Sequence, residues 1–149
     1  MYAVASISDD GRTLASAGPD PTVMLWNLAR PDQPPVALPG HTDRVRGLAF
    51  SRDTTTLASA SEDKTVRLWA MPDDKALGPP LQGHESEVLG VAFGPDSRTV
   101  ATGSEDKTVM LWDVASQAPL PALQRAATEF DCEVFSPDGK TLAAAGSDK

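Results

Sequence analysis

Three tryptophans set the repeat of this 149-residue chain. Trp26, Trp69 and Trp112 are spaced 43 residues apart, and they end the nearly identical phrases TVMLW, TVRLW and TVMLW. A fixed period of roughly 40–45 residues is typical of repeat proteins, in which one repeat cannot bury its apolar face without a neighbour. The chain is therefore expected to fold as a series of stacked, similar units.

Alignment on the tryptophans divides the chain into four copies, at residues 1–28, 40–70, 83–113 and 126–149. The second and third copies are complete and begin with Gly-His. The first begins late, and the fourth ends before any tryptophan. We treat residues 1–149 as one segment of repeats.

Each copy contains three short runs rich in Val, Leu, Thr and aromatic residues, such as VRGLAF, TLASAS and TVRLW in the second copy. This composition is typical of strands, and the Asp, Pro and Gly residues between the runs favour tight turns. All 13 prolines fall in turns or connections, where the missing N–H does not interrupt the hydrogen bonds between strands. A fourth, outer strand is expected near Pro35 to Leu38. Helical periodicity is absent, so the prediction is an all-β protein of four-stranded antiparallel sheets arranged as blades.

Small residues recur in the first strand of the copies, with Gly47, Gly90 and Cys132 at equivalent places and Val4 in the first copy. In a radial arrangement the innermost strands crowd around an axis, where small side chains fit. The alternative is that the glycines mark a bulge or a local weakening of the strand.

Composition excludes several classes of protein. The net charge of -8 argues against non-specific binding to nucleic acid or to an anionic membrane, which needs clustered Lys and Arg. Cys132 is the only cysteine, so no intrachain disulfide forms and a reducing compartment is the simpler interpretation. No run approaches the ~18 apolar residues of a membrane span, and the start lacks the pattern of a signal peptide. A cytoplasmic protein is expected.

The repeats resemble the WD-repeat β-propeller family. The Gly-His dipeptide, a Ser or Thr four residues before an Asp, and the closing tryptophan stand in family order in two complete copies. The closing dipeptide departs from the family pattern, since it is Trp-Asn and Trp-Ala in the first two copies and Trp-Asp only at residues 112–113. The resemblance implies propeller blades in an incomplete ring, three blades plus a half.

Four residue types recur at fixed offsets and suggest a chain of hydrogen bonds. An indole N–H donates to a hydroxyl, the hydroxyl donates to an imidazole nitrogen, and the other imidazole N–H reaches a carboxylate. The structural tetrad of the family resembles this scheme. Its members would be His41, Ser59, Asp63 and Trp69 in the second copy, His84, Thr102, Asp106 and Trp112 in the third, and Ser16, Asp20 and Trp26 in the first. In the fourth copy Asp148 remains, while Ala144 and Ala126 replace the hydroxyl and the histidine.

The same residue types form hydrolytic triads, and two histidines raise the question of a metal site. A structural role is favoured because the set occurs twice and each set accompanies a tryptophan in a core-like strand. His41 and His84 lie 43 residues apart, which matches no known ligand spacing. We also find no glycine-rich phosphate loop, HExxH motif or nucleophile elbow. We therefore expect that the chain is not an enzyme and that it binds no metal or cofactor.

The resemblance implies a rigid platform for protein partners, which bind loops on one face. Carried over residue by residue, the contact positions would be Arg44, Arg46 and Glu62 in the second copy, Glu87, Leu89 and Glu105 in the third, and Glu129 and Asp131 in the fourth. This face would be mostly acidic with one arginine pair. It suggests either a basic partner or an arginine-mediated contact at the second blade, and the alternative is a solvated surface with no specific partner.

Two questions stay open at the level of sequence. Propellers typically need 4–8 blades to close, so the chain is either a piece of a longer propeller or one of two chains that complete a ring together. The function is that of a protein-interaction scaffold or, alternatively, that of a sensory or regulatory segment in a larger signalling protein such as a kinase or an NTPase.

Overall fold

The computed structural model describes residues 3–121, 129–130 and 132–146, and over these residues its regular secondary structure consists of β-strands. Blade 1 contains β1 (Val4–Ile7), β2 (Thr13–Ala17), β3 (Val23–Asn27) and β4 (Val36–Leu38). Blade 2 contains β5 (Val45–Phe50), β6 (Thr56–Ser61), β7 (Thr65–Ala70), β8 (Lys75–Ala76) and β9 (Leu81–Gln82). Blade 3 contains β10 (Val88–Phe93), β11 (Thr99–Ser104) and β12 (Val109–Asp113), and blade 4 contains β13 (Cys132–Phe135) and β14 (Leu142–Ala145).

Every blade is an antiparallel meander, which confirms the predicted all-β fold. The outer strand expected near Pro35 to Leu38 is β4. In blade 2 the outer position is split, because β8 and β9 both pair with β7 and the connection between them contains Pro79 and Pro80, which have no N–H to donate. In blade 3 the outer position is represented among the described residues by one bridge, from Trp112 to Pro119.

The two ends of the blades differ in chemistry. At one end, which we call the tetrad end, lie the Gly-His loops before β5 and β10 and the turns after β6 and β11. At the opposite end, the turn that joins the first two strands is held by a serine in blades 1, 2 and 4. The Ser51 hydroxyl donates to Asp53 at 2.7 Å and accepts the Thr56 N–H at 2.9 Å. Ser8 and Ser136 make the same pair of bonds in blades 1 and 4.

The core consists of two clusters, each lying between neighbouring blades. Trp69 and Leu57 of blade 2 pack with alanines, valines and leucines of blade 1, and Trp112 of blade 3 packs likewise against blade 2. A tryptophan thus covers the blade that precedes its own, and burying one removes about 150–250 Å² of its surface from water. In blade 1 no described residue plays the part of a preceding blade, and Trp26 is 42% exposed.

The inner strands are crowded, as the glycine at position 47 demonstrates. A Cβ added to Gly47 would lie 3.1 Å from Val91 Cγ1 and 3.2 Å from the Val91 nitrogen on β10. The register of β5 and β6 also shifts between Val45 and Gly47, as that of β10 and β11 does between Val88 and Gly90. Close approach and a bulge, which the sequence offers as alternatives, occur together at Gly47.

No helix in the described part of the chain has the length and apolarity to cross a membrane.

Candidate functional site

Blade 2 holds a continuous chain of four side chains at the tetrad end. The Trp69 indole N–H donates to Ser59 Oγ at 2.9 Å, and Ser59 Oγ lies 2.8 Å from His41 Nε2. On the other side of the ring, His41 Nδ1 lies 2.8 Å from Asp63 Oδ2. The Asp63 carboxylate can only accept, so Nδ1 carries the proton of the neutral imidazole, and Nε2 accepts from the Ser59 hydroxyl.

Blade 3 repeats this geometry almost atom for atom. The Trp112 indole N–H donates to Thr102 Oγ1 at 2.9 Å, and Thr102 Oγ1 lies 2.8 Å from His84 Nε2. His84 Nδ1 lies 2.9 Å from Asp106 Oδ2. The indole of Trp112 and the ring of His84 are tilted by 60° with their centres 6.5 Å apart. The two sets match because strand register and turn length are the same in both copies.

A fifth residue, which the sequence interpretation missed, belongs to each set. Thr65 donates its hydroxyl to Asp63 Oδ1 at 2.6 Å and its backbone N–H to the same oxygen at 3.0 Å. Thr108 makes the equivalent bonds to Asp106 in blade 3. The repeated phrase SEDKTV contains both threonines and is the signal that could have identified them.

Burial controls the protonation of the blade 2 set. Burial of the ring lowers the pKa of His41, and the contact with Asp63 only partly opposes this effect. Burial raises the pKa of Asp63, but hydrogen bonds from Thr65, from the Thr42 N–H and from His41 outweigh it, so the pKa is lowered. At neutral pH the set therefore consists of a neutral imidazole and a carboxylate. Asp106 has a lowered pKa for the same reasons.

The first copy keeps only part of the arrangement. The Trp26 indole N–H donates to Ser16 Oγ at 2.8 Å. The interpretation of Asp20 as a tetrad member is not supported by the geometry, since no hydrogen bond or ion pair joins its side chain to another residue in the described ranges, and it is exposed. The described residues of this copy include no histidine whose N–H the carboxylate could accept. Ala126 and Asp148 of the fourth copy lie outside the described residues.

The buried hydroxyls are poorly placed for covalent chemistry. Ser59 and Thr102 are both 0% exposed, and each hydroxyl already accepts from an indole and faces an imidazole. Within the described ranges no group of three or more His, Cys, Asp or Glu side chains has the arrangement of a metal site. The arrangement can fix the turns at the tetrad end, because each aspartate bonds the backbone of both loops that meet there.

On the surface of the tetrad end, the predicted contact residues of blade 2 contact each other. Arg44 and Arg46 each direct a guanidinium nitrogen at the same oxygen of Glu62, at 3.5 Å and 3.2 Å. The arginines are half-buried, and the carboxylate lies below them with little exposure. The arginine pair is therefore largely engaged within its own blade.

Blade 3 presents a different surface at the same positions. Glu87 occupies the place of Arg44, and its pKa is raised by burial and by the negative charges of Glu105 and Glu62. Glu105 accepts a hydrogen bond from the Ser86 hydroxyl at 3.3 Å. Carboxylates thus lie close together here without an equal number of cations.

The three remaining predicted contact residues are Leu89, Glu129 and Asp131. Leu89 is only 7% exposed, so its assignment to the exposed face is wrong. It lies at the bulge between Val88 and Gly90 and lines a cavity of about 190 Å³ between the inner strands, where an apolar side chain avoids water. Glu129 is half-buried at the start of blade 4, and Asp131 lies outside the described residues.

Comparison with known proteins gives a consistent picture. A family model described as "WD domain, G-beta repeat" matches residues 1–27, 33–70 and 77–113. A solved structure described as "Structure of U3-55K" is similar with a TM-score of 0.85 and 22% sequence identity, and the match covers 95% of this chain. The match covers 44% of that chain, so this protein spans less than half of its length. No curated protein matches the sequence.

Proposed function

This chain belongs to the WD40-repeat family, and from that premise we propose that it is a non-catalytic scaffold that binds partner proteins through the tetrad end of its blades. One observation carries the proposal. Asp63 and Asp106 each accept hydrogen bonds from the backbone of two loops. Arg44 and Glu87 lie on these loops and are partly exposed at the surface. A surface held from within loses little conformational entropy when a partner binds.

The chemistry of this surface favours a basic partner. Both arginines of blade 2 already contact Glu62, and Arg46 only partly offsets the negative charges around Glu87. Around Glu87, burial and neighbouring carboxylates disfavour the charged form, and a cation from a partner would offset both effects by stabilising the carboxylate. We infer that the partner presents Lys or Arg to Glu87 and Glu105, and that this contact contributes to specificity and association rate.

The test is a quantitative comparison of proteins captured from cell extract by the protein and by charge variants. The double variant Glu87→Gln/Glu105→Gln should lose the specific partners, and the loss should be greatest at low salt because exposed charges are screened by ions. The control Asp9→Asn/Asp32→Asn changes the net charge by the same amount, and both of its positions are exposed and lie away from the tetrad end. If both variants retain or lose the same proteins, the acidic contact surface is rejected.

The open face of blade 1 supports a second part of the proposal, that a further blade-like sheet covers Trp26. In blades 2 and 3 the same face of the sheet is covered by the small aliphatic side chains of the preceding blade. Val134 of blade 4 is exposed on a strand beside alanines, so a second copy could supply such a surface. Light scattering tests whether that sheet comes from a second copy: a dimer that Trp26→Arg converts to a monomer supports a second copy, and a monomeric wild type rejects it in favour of a longer propeller.

A further inference from the structure

A cleft opens between blades 1 and 2 at the end opposite the tetrads. Its volume is about 550 Å³, which lies within the roughly 300–1,000 Å³ of typical ligand pockets. Leu25 of β3, Phe50 of β5 and Met71 beyond β7 line it, and all three also contact the core between the two blades. Val36 at the start of β4 lines the cleft as well and is 44% exposed. The lining is therefore continuous with the core and partly open to water.

The equivalent gap between blades 2 and 3 is bridged by a glutamine. Gln117 Nε2 donates to the Leu77 carbonyl at 3.1 Å, which links the turn after β12 to the outer part of blade 2. The amide also fills the space above Gly78, where an added Cβ would lie 2.5 Å from Gln117 Oε1.

Asp74 takes the place of this glutamine between blades 1 and 2. Asp74 and Gln117 each follow their tryptophan by five residues, have φ angles of 54° and 56°, and donate the backbone N–H to an equivalent carbonyl. A carboxylate cannot donate to a carbonyl as the amide does, and no hydrogen bond or ion pair of this side chain occurs within the described ranges. The positive φ recurs in both copies and so belongs to the architecture, whereas the change of side chain is specific to this cleft.

The lining of the cleft is negatively charged. Asp10 and Asp74 are among the residues that line it, and the described lining includes no lysine or arginine. Asp10 remains ionised because the Ser8 hydroxyl at 2.6 Å and the Arg12 N–H at 3.0 Å lower its pKa. Burial and the charge of Asp73 raise the pKa of Asp74, which is the effect expected for a carboxylate without a cationic partner.

We propose that this cleft binds a segment of a partner protein in which a Lys or Arg lies next to an apolar side chain. The apolar side chain contacts Val36, Phe50 and Met71, and the cation lies against Asp74 and Asp10. The apolar contact supplies most of the affinity, and the charge selects the segment. This surface lies at the end of the blades opposite Glu87 and Glu105, so two partners can bind at once.

A matched pair of peptides tests the proposal by protein NMR. The probe is acetyl-Gly-Leu-Arg-Leu-Gly-amide, and the control replaces arginine with citrulline, which has nearly the same shape and no charge. We expect the arginine peptide to shift the signals of Met71 and of the Thr54 and Asn27 amides, which line the cleft, and to bind about fivefold more tightly than the control. Equal binding of the two peptides, or shifts confined to the tetrad end, would overturn the proposal.

Three substitutions test whether Asp74 is responsible for the preference. Asp74→Asn should remove the preference for arginine, while Asp20→Asn, an equal change of net charge at the tetrad end, should leave the preference intact. Asp74→Gln copies the residue that bridges the next pair of blades and should reduce the affinity for both peptides. Persistence of the preference in Asp74→Asn, with an unchanged thermal midpoint to show that the fold is retained, would refute the assignment.

Discussion

Replacing Ser59 with alanine should destabilise the protein far more than the same replacement at Ser16. Both hydroxyls accept an indole N–H, at 2.9 Å from Trp69 and at 2.8 Å from Trp26. Their surroundings differ, since Trp69 is 2% exposed while Trp26 is 42% exposed. Ser59 also faces His41 Nε2 at 2.8 Å, and blade 1 contains no histidine.

The expected magnitude follows from the groups left without a partner. Loss of the Ser59 hydroxyl strands one buried donor, the Trp69 N–H, and one buried acceptor, His41 Nε2. Each unsatisfied buried group costs about 1–3 kcal/mol, so we expect a loss of about 2–4 kcal/mol once some relaxation is allowed. At Ser16 water can replace the hydroxyl, and the loss should stay below about 1 kcal/mol. For a chain of this size each kcal/mol shifts the melting temperature by about 2–4 °C.

The assay is urea unfolding monitored by circular dichroism. The dependence of the unfolding free energy on urea concentration should be the same in all variants. Thr102→Val provides an independent repeat in blade 3, because valine has nearly the shape of threonine and removes only the hydroxyl that bonds Trp112 and His84. Similar losses in Ser59→Ala and Ser16→Ala, or a loss below about 0.5 kcal/mol in Ser59→Ala, would refute the view that these bonds hold the blades from within.

Three further outcomes are expected. Because burial lowers the pKa of His41 below 6.5, the unfolded chain takes up a proton that the folded protein does not. The unfolding free energy should therefore be highest above pH 6.5 and decline as the pH falls toward the lower pKa of the folded protein. In urea titrations at several pH values, His41→Gln should reduce that decline. Gly47→Ala should cost about 1–3 kcal/mol in the same assay, because its Cβ would lie 3.1 Å from the neighbouring inner strand, whereas Gly18→Ala, with nothing within 4 Å, should cost less. Trp69→Phe should lower the melting temperature more than Trp26→Phe, and equal shifts would contradict the packing of each tryptophan against the preceding blade.

The strands could be predicted from sequence because their signals are local. Alternating apolar residues and short turn sequences specify strands such as β6 and β7 without reference to the rest of the chain. Because of the repeat, a prediction for one copy also applies to the residues 43 positions away, which have similar surroundings. For the same reason the sequence pairs His41 with Ser59 and Asp63, and the structure places these three side chains within hydrogen-bonding distance.

Residues whose surroundings differ between copies could not be predicted in this way. Leu89 occupies the position of Arg46 in the preceding copy. Arg46 is partly exposed, whereas Leu89 is buried at the bulge because burial of an apolar side chain is favourable. Asp20 lies at the tetrad position of its copy, but no histidine among the described residues of that copy contacts it.

The sequence by itself determined the repeat, the all-β blades and the residue types of the buried hydrogen-bond chains, because period, turn chemistry and donor–acceptor matching act over short distances. Only the tertiary structure decided which surfaces meet between blades. Trp26 is exposed while Trp69 is buried. Gln117 bridges the gap between blades 2 and 3, whereas a cleft lined by Asp74 lies between blades 1 and 2. The physical reason is that burial and contact between sheets depend on the neighbouring blade, which no single repeat contains.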